Sequence, residues 1–304
     1  SVSFMLQNLF QSFLIAAEKP KLGLAATVAA GVTNMVLDAL FIAGFRWGVA
    51  GAAIATGLSQ CVGGILPLFY FAFPNNSLLR LTRTKLEIRP ILQACGNGSS
   101  EMMNNIASSI VGMLYNFQLL KYAGEDGVST YGVLMYVNFC FAAIFIGYSV
   151  GSAPIVGYHF GAQNRSELQN MLRKSIILMG MGGVILALAA QLLANPLAHL
   201  FVGYDAGLFA MTTHAFRLYS FAFLFMGFNI FASSFFTSLS NGGVSAAIAF
   251  LRTLVFQAAA VLILPILFEL DGIWWAMTTA EVFAFVISGI FLLANRKRYG
   301  YFGK

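Results

Sequence analysis

Nine apolar runs, at about 4–18, 22–44, 48–73, 91–121, 128–158, 172–194, 213–239, 244–269 and 272–294, take up most of this 304-residue chain. A helix crosses a ~30 Å hydrocarbon core with roughly 20 apolar residues, and most of these runs meet that length. They are continuously apolar instead of alternating, which favours helices over an outer-membrane barrel. The predicted fold class is therefore an all-α integral membrane protein. Charged residues make up 9% of the chain, against about a quarter in soluble domains.

The placement of the charges explains the formal net charge of +6. If the first run ends on the inner side, the inner loops and the tail hold all of the seventeen Lys and Arg except Arg46, Lys121 and Arg217; Arg252 is counted among the inner ones. This asymmetry predicts a multi-pass membrane protein with its C-terminus in the cytoplasm, and it accounts for the basic balance without nucleic acid as a partner. Cys61, Cys95 and Cys140 stand singly in apolar runs and indicate neither a disulfide framework nor a metal site. His159, His199 and His214 fall near helix ends, too scattered for metal binding or a catalytic triad. The opening, Ser1 with no basic segment before the first apolar run, is not that of a signal peptide.

An internal repeat organises the runs. FMLQNLFQSFLIAAEKPK (4–21) lies on MGFNIFASSFFTSLSNGG (226–243) at a shift of 222, placing Gln7 on Asn229; GAAIATGLSQCV from Gly51 lies on GIWWAMTTAEVF from Gly272 at a shift of 221, placing Gln60 on Glu281. Two blocks at nearly one offset are the weak internal symmetry found in secondary transporters built from two bundles. On this reading residues 82–304 form a complete six-helix bundle. Residues 1–81 correspond to the last three helices of a preceding bundle whose first three are missing, giving about nine of twelve transmembrane helices.

TNMVLDALFI (33–42), GVAGAAIAT (48–56) and YHFGAQN (158–164) resemble the multidrug and toxic compound extrusion (MATE) transporters, in particular their MepA-like bacterial branch. The resemblance covers essentially the whole chain. It implies two six-helix lobes around a central cavity, in a monomer within the lipid bilayer of a bacterial inner (plasma) membrane. It also implies alternating-access export of small amphipathic cations, driven by H⁺ or Na⁺ as the coupling ion with no other cofactor.

An ionised carboxylate at the bilayer centre costs at least ~2.5 kcal/mol, which makes Asp38, Glu101 and Glu281 the functional candidates. Asn34 and Asp38 are one helical turn apart on one face, and Thr56 on the next helix adds a hydroxyl. Carboxylate, amide and hydroxyl oxygens are hard ligands for Na⁺, or they can share a proton. In one bacterial and archaeal branch of the family this Asn, Asp and Thr pattern, with an acid on the first helix, forms the coupling-cation site; the resemblance implies that role for Asn34, Asp38 and Thr56. At the 222 shift Asn34 falls on Phe256 and Asp38 on Ala260, so the second bundle does not repeat the site.

Asn97, Glu101, Asn104, Asn105 and Ser108 recur at three- and four-residue steps and form a polar face that lines a cavity and not lipid. Glu101 either binds a cationic compound or a proton there or is satisfied by those neighbours while holding helices together. In one family branch a coupling glutamate lies one turn further along this helix, where this chain has Asn105. Glu281, aligned with Gln60, is a cavity or a packing residue. Pro154 removes one backbone hydrogen bond and marks a kink or flexible point. The aromatic and Met side chains offer cation–π contact and adaptable packing to lipophilic cations, although most face lipid or other helices.

Two other classes compete. A flippase for lipid-linked sugars would carry basic residues in the cavity, and the sequence places no Lys or Arg deep in the nine helices. An enzyme would show HExxH, paired catalytic acids or a nucleophile elbow, and none is present. A chain with half of its first bundle could also be an inactive fragment.

Overall fold

The computed structural model describes residues 2–74, 77, 79, 81 and 87–301; of Asn97, Ser100, Glu101 and Asn104 only the backbone is described. The chain divides into two units, residues 1–86 and 87–304, a few residues beyond the boundary expected at 81. The stretch 82–86 lies outside the described residues.

The first unit contains α1 (Val2–Ala16), α2 (Pro20–Asp38) and α3 (Gly48–Ala72), and α2 runs on into a π-helical turn, Ala39–Gly44. Glu18 takes a left-handed φ of 59° between α1 and α2, and Pro20 opens α2, where a fixed φ and a missing N–H cost nothing. α1 packs on α3 because α3 presents Gly63 and Gly64: a Cβ at Gly63 would lie 2.7 Å from Gln7 Cδ, and one at Gly64 3.1 Å from the Ser3 carbonyl oxygen. Small residues that admit a neighbour's backbone are how helices associate without a hydrophobic driving force. Phe10 stacks on Phe71 at 5.8 Å between ring centroids.

The second unit contains α4 (Ile88–Gly161), α5 (Arg165–Val202), α6 (Ala206–Tyr219), α7 (Phe223–Ser238), α8 (Gly242–Phe250) and α9 (Gln257–Tyr299). A 3₁₀ turn, Ser220–Ala222, joins α6 to α7, and a second π turn, Leu251–Phe256, joins α8 to α9. The turns expected near 122–127 and 270–271 shrink to one residue each. Gly124 (φ 62°, ψ −149°) breaks α4 and Glu269 (φ 49°, ψ −128°) breaks α9. In a straight helix Tyr115 and Tyr131 would stand about 24 Å apart along the axis, yet their rings stack at 4.7 Å. The chain therefore doubles back at Gly124. Counting both limbs of α4 and α9, each of the nine predicted spans is helical. Pro154 lies in the second limb of α4, whose one non-helical residue is Gly124.

Polar side chains open three of these helices. Asn164 Oδ1 accepts from Glu167 N (3.2 Å), Asp205 Oδ1 from Leu208 N (3.0 Å) and Asn241 Oδ1 from Val244 N (3.3 Å), each replacing a bond the first turn lacks. α5 meets α7 closely at Gly183, where a Cβ would sit 2.9 Å from the Phe223 and Leu224 carbonyl oxygens. Around this contact the core gathers Phe145, Phe216, Phe223, Phe231, Phe235 and Trp274. Large apolar side chains such as Leu192, Ile266 and Leu200 are exposed, as a hydrocarbon solvent allows. Among the described residues, six of the helical runs are long and apolar enough to cross a membrane.

Candidate functional site

In the first unit, Asn34 and Asp38 are brought together one turn apart on α2, both half-buried. Asn34 Nδ2 and Asp38 Oδ1 are shut off from solvent yet have no hydrogen-bond partner. Asp38 is the last residue of α2, where the helix widens into its π turn. Such turns shift the carbonyl ladder by one residue and recur at functional sites. Thr56 is exposed on α3, and its hydroxyl donates to Ala52 O at 2.9 Å. Among the described residues no hydrogen bond links it to Asn34 or Asp38, although its oxygen keeps lone pairs free for a ligand. One carboxylate with an amide and a hydroxyl suits a monovalent cation or a proton and supplies too little charge for a divalent ion. Among the described residues no cluster of three His, Cys, Asp or Glu could hold a metal.

In the second unit, the limbs of α4, α7, the π turn and α9 enclose a cavity of about 450 Å³. Of the residues predicted from sequence, Ser108 and Glu281 line it. Asn105 is exposed and its carbonyl accepts from Ser109 Oγ at 3.1 Å. The side chains of Asn97, Glu101 and Asn104 lie outside the described residues. The stacked pair Tyr115 and Tyr131, together with Tyr219 and Met226, forms an aromatic and thioether wall. Asn138, Ser149, Ser233 and Gln257 bring polar groups to the cavity.

The centre of this cavity corrects the sequence reading. Arg252, expected in an inner loop, sits in the π turn ten residues after α8 begins at Gly242, about 15 Å along the axis. It is therefore a basic residue deep in the second unit, contrary to the expectation of none. Arg252 Nε (2.9 Å) and Nη2 (2.7 Å) both donate to Glu281 Oε1. Asn229 Nδ2 donates to Glu281 Oε2 at 2.7 Å and to the Glu281 carbonyl at 2.9 Å. The Glu281 side chain is 2% exposed and that of Arg252 15%. With its charge matched by Glu281, Arg252 is not a free cation awaiting a pyrophosphate. The sequence carried one signal of this placement, a single Arg inside the apolar run 244–269.

Gln7 and Asn229, paired by the 222 shift, both contact the last helix of their triplet, at places one turn apart by the 221 shift. Gln7 of α1 packs against α3 at Gly63, as Asn229 of α7 packs against α9 at Glu281. In each unit the middle segment of the triplet carries a π turn.

Comparison with known proteins follows the same lines. The MatE family model matches residues 101–262. The multidrug export protein MepA of Staphylococcus saprophyticus is 21% identical over 302 residues, covering 95% of this chain and 64% of that protein. MepA of a bovine Staphylococcus aureus strain is 21% identical over 276 residues, covering 90% of this chain and 60% of that protein. The chain thus spans less than two thirds of the length of these relatives. Among solved structures, a MATE in complex with MaL6 superposes with a TM-score of 0.89 at 20% identity, covering 97% of this chain and 66% of that one. An outward-facing MATE transporter of the MOP superfamily gives 0.88 at 22% identity with the same coverage. These likenesses fix the fold as that of a MATE-like helical membrane protein, and because the family model spans more than half of its residues, this chain belongs to the MatE family.

Proposed function

We propose that the protein is part of a cation-coupled antiporter that exports amphipathic, cationic compounds by alternating access. The observation that carries this reading is the Asn34–Asp38 pair, two buried polar atoms without partners inside a membrane helix. Leaving such groups unsatisfied costs about 1–3 kcal/mol each; a bound Na⁺ or proton removes that cost at the acceptor, Asp38 Oδ1, while Asn34 Nδ2 is a donor that no cation satisfies. Asp38 supplies the charge, Asn34 the amide and Thr56 the hydroxyl oxygen. The cavity of the second unit supplies a wall for cargo, with Ser108 and the Tyr115–Tyr131 stack placed to meet an apolar cation by its ring faces. By their spacing in the sequence, Asn97, Glu101, Asn104 and Asn105 are assigned to the same cargo face. The relatives are named as multidrug exporters, which supports the same cargo class. The first unit is the counterpart of the last three helices of the second. The basic loops and tail support a plasma-membrane protein with a cytoplasmic C-terminus; the reading takes it as a monomer and involves no catalytic step and no cofactor beyond the coupling ion.

The test is efflux of a fluorescent lipophilic cation from cells expressing the complete gene, under imposed Na⁺ or proton gradients. Gradient-driven efflux in the wild type and its loss in Asp38→Asn, with expression and folding unchanged, is the expected result. Wild-type efflux by Asp38→Asn overturns the coupling site.

A further inference from the structure

Glu281 is the one carboxylate among the described residues on the cavity wall, and export as read above gives it no ion to bind. Its oxygens already receive three short hydrogen bonds, two from Arg252 and one from Asn229, out of about four acceptor positions. An incoming cation would have to displace a guanidinium whose own charge would then stand unpaired in a poorly solvated place.

The repeat supplies an internal comparison. Gln60 stands at the place of Glu281 and Gln7 at that of Asn229, while Arg252 falls on Ala30 or Gly31 at the two shifts. Where the acid is absent, the base is absent too. Asp38 shows the reverse: it has no basic partner among the described residues, and Ala260 stands at its counterpart.

We propose that Arg252 is a tethered counter-cation that keeps Glu281 out of ion coupling and makes the cavity of the second unit electroneutral, so that ring faces and hydrogen bonds, not a free carboxylate, hold cargo there. The inference rests on the export reading, and its test separates the two. In an Asp38→Asn background the proposed ion site of the first unit is gone. The unfolding midpoint of the purified chain is then followed against Na⁺ at fixed pH and against pH at fixed Na⁺, and differences between variants are read. The charged or titratable groups facing Glu281 are Arg252 from the π turn, Tyr115 from α4 and Tyr219 from α6, so a response that depends on Glu281 is that of its carboxylate.

Asp38→Asn alone is expected to show no such response. Adding Arg252→Met uncovers a saturable cation-dependent rise, and adding Glu281→Gln abolishes it. A Glu281-dependent response with Arg252 in place, or no gain on its removal, overturns the proposal. Should Arg252→Met fail to fold, the electroneutral pair Arg252→Met/Glu281→Met in the full-length protein gives a second measurement. Whatever efflux remains is expected to keep the ion dependence of wild type, and loss of that dependence overturns the proposal equally. Failure of the Asp38 reading appears in the efflux of Asp38→Asn and leaves the Arg252 comparison intact.

Discussion

Asp38 and Glu281 are both carboxylates within apolar helices, and they set opposite physical problems. Glu281 is buried with its charge matched, so removing one partner is costly: Arg252→Met alone should lower the unfolding free energy by about 3–5 kcal/mol, while Arg252→Met/Glu281→Met should come out near neutral or more stable. Denaturant titration in detergent checks both, and equal losses for the single and the double variant would refute the matched-charge account. Asp38 is part-buried with one oxygen unpartnered. Asp38→Leu should therefore raise the unfolding midpoint in ion-free buffer while abolishing coupling, and a lowered midpoint would show that the carboxylate supports the fold. Asn34, Asp38 and Ser108 were legible in the sequence because each belongs to a pattern along a single helix. The Arg252–Glu281 pair was not, since a contact between residues 29 apart on neighbouring helices depends on how each helix is rotated, which apolar periodicity does not set. A lone Arg inside an apolar run therefore reads as a loop until its partner is seen.

For the helical elements, hydropathy located all nine spans, because in hydrocarbon a run of apolar residues has few alternatives to a helix. It overestimated the turns within α4 and α9, since one left-handed residue is enough to reverse the chain when the limbs pack closely. Gly272 shows how close the limbs come: a Cβ there would run into both the carbonyl carbon and oxygen of Leu264. These are backbone atoms that cannot swing aside. Gly272→Ala should destabilise the protein by about 1–3 kcal/mol, the usual cost of overpacking, whereas Gly132→Ala, with open space around its Cβ, should be neutral or slightly stabilising. Unfolding midpoints of the two variants measured side by side decide this, and equal shifts would contradict the close approach.

Across the whole molecule, the two units differ in how much they bury. α1 buries Phe10 and Leu14, whereas α5 buries a file from Leu168 to Val202. Local opening should therefore cost less in the first unit, and its amides in α1–α3 should exchange with deuterium sooner than those of α5 and α7 in detergent; uniform protection would show that burial does not set local stability here. The π turns carry a consequence for the correspondence of the two halves. Counted through the 222 shift, Leu251–Phe256 falls on residues 29–34, whereas the first unit has its π turn at Ala39–Gly44. A π turn absorbs one extra residue, and one residue turns all that follows by about 100° around the axis. The two halves therefore hold their extra residue at different depths, and the stretch between runs out of phase. Asp38 lies in that stretch. Grafting an Asp onto Ala260 would aim it along a different bearing, so a symmetric transporter could be engineered from this fold only by moving a residue, not by exchanging one.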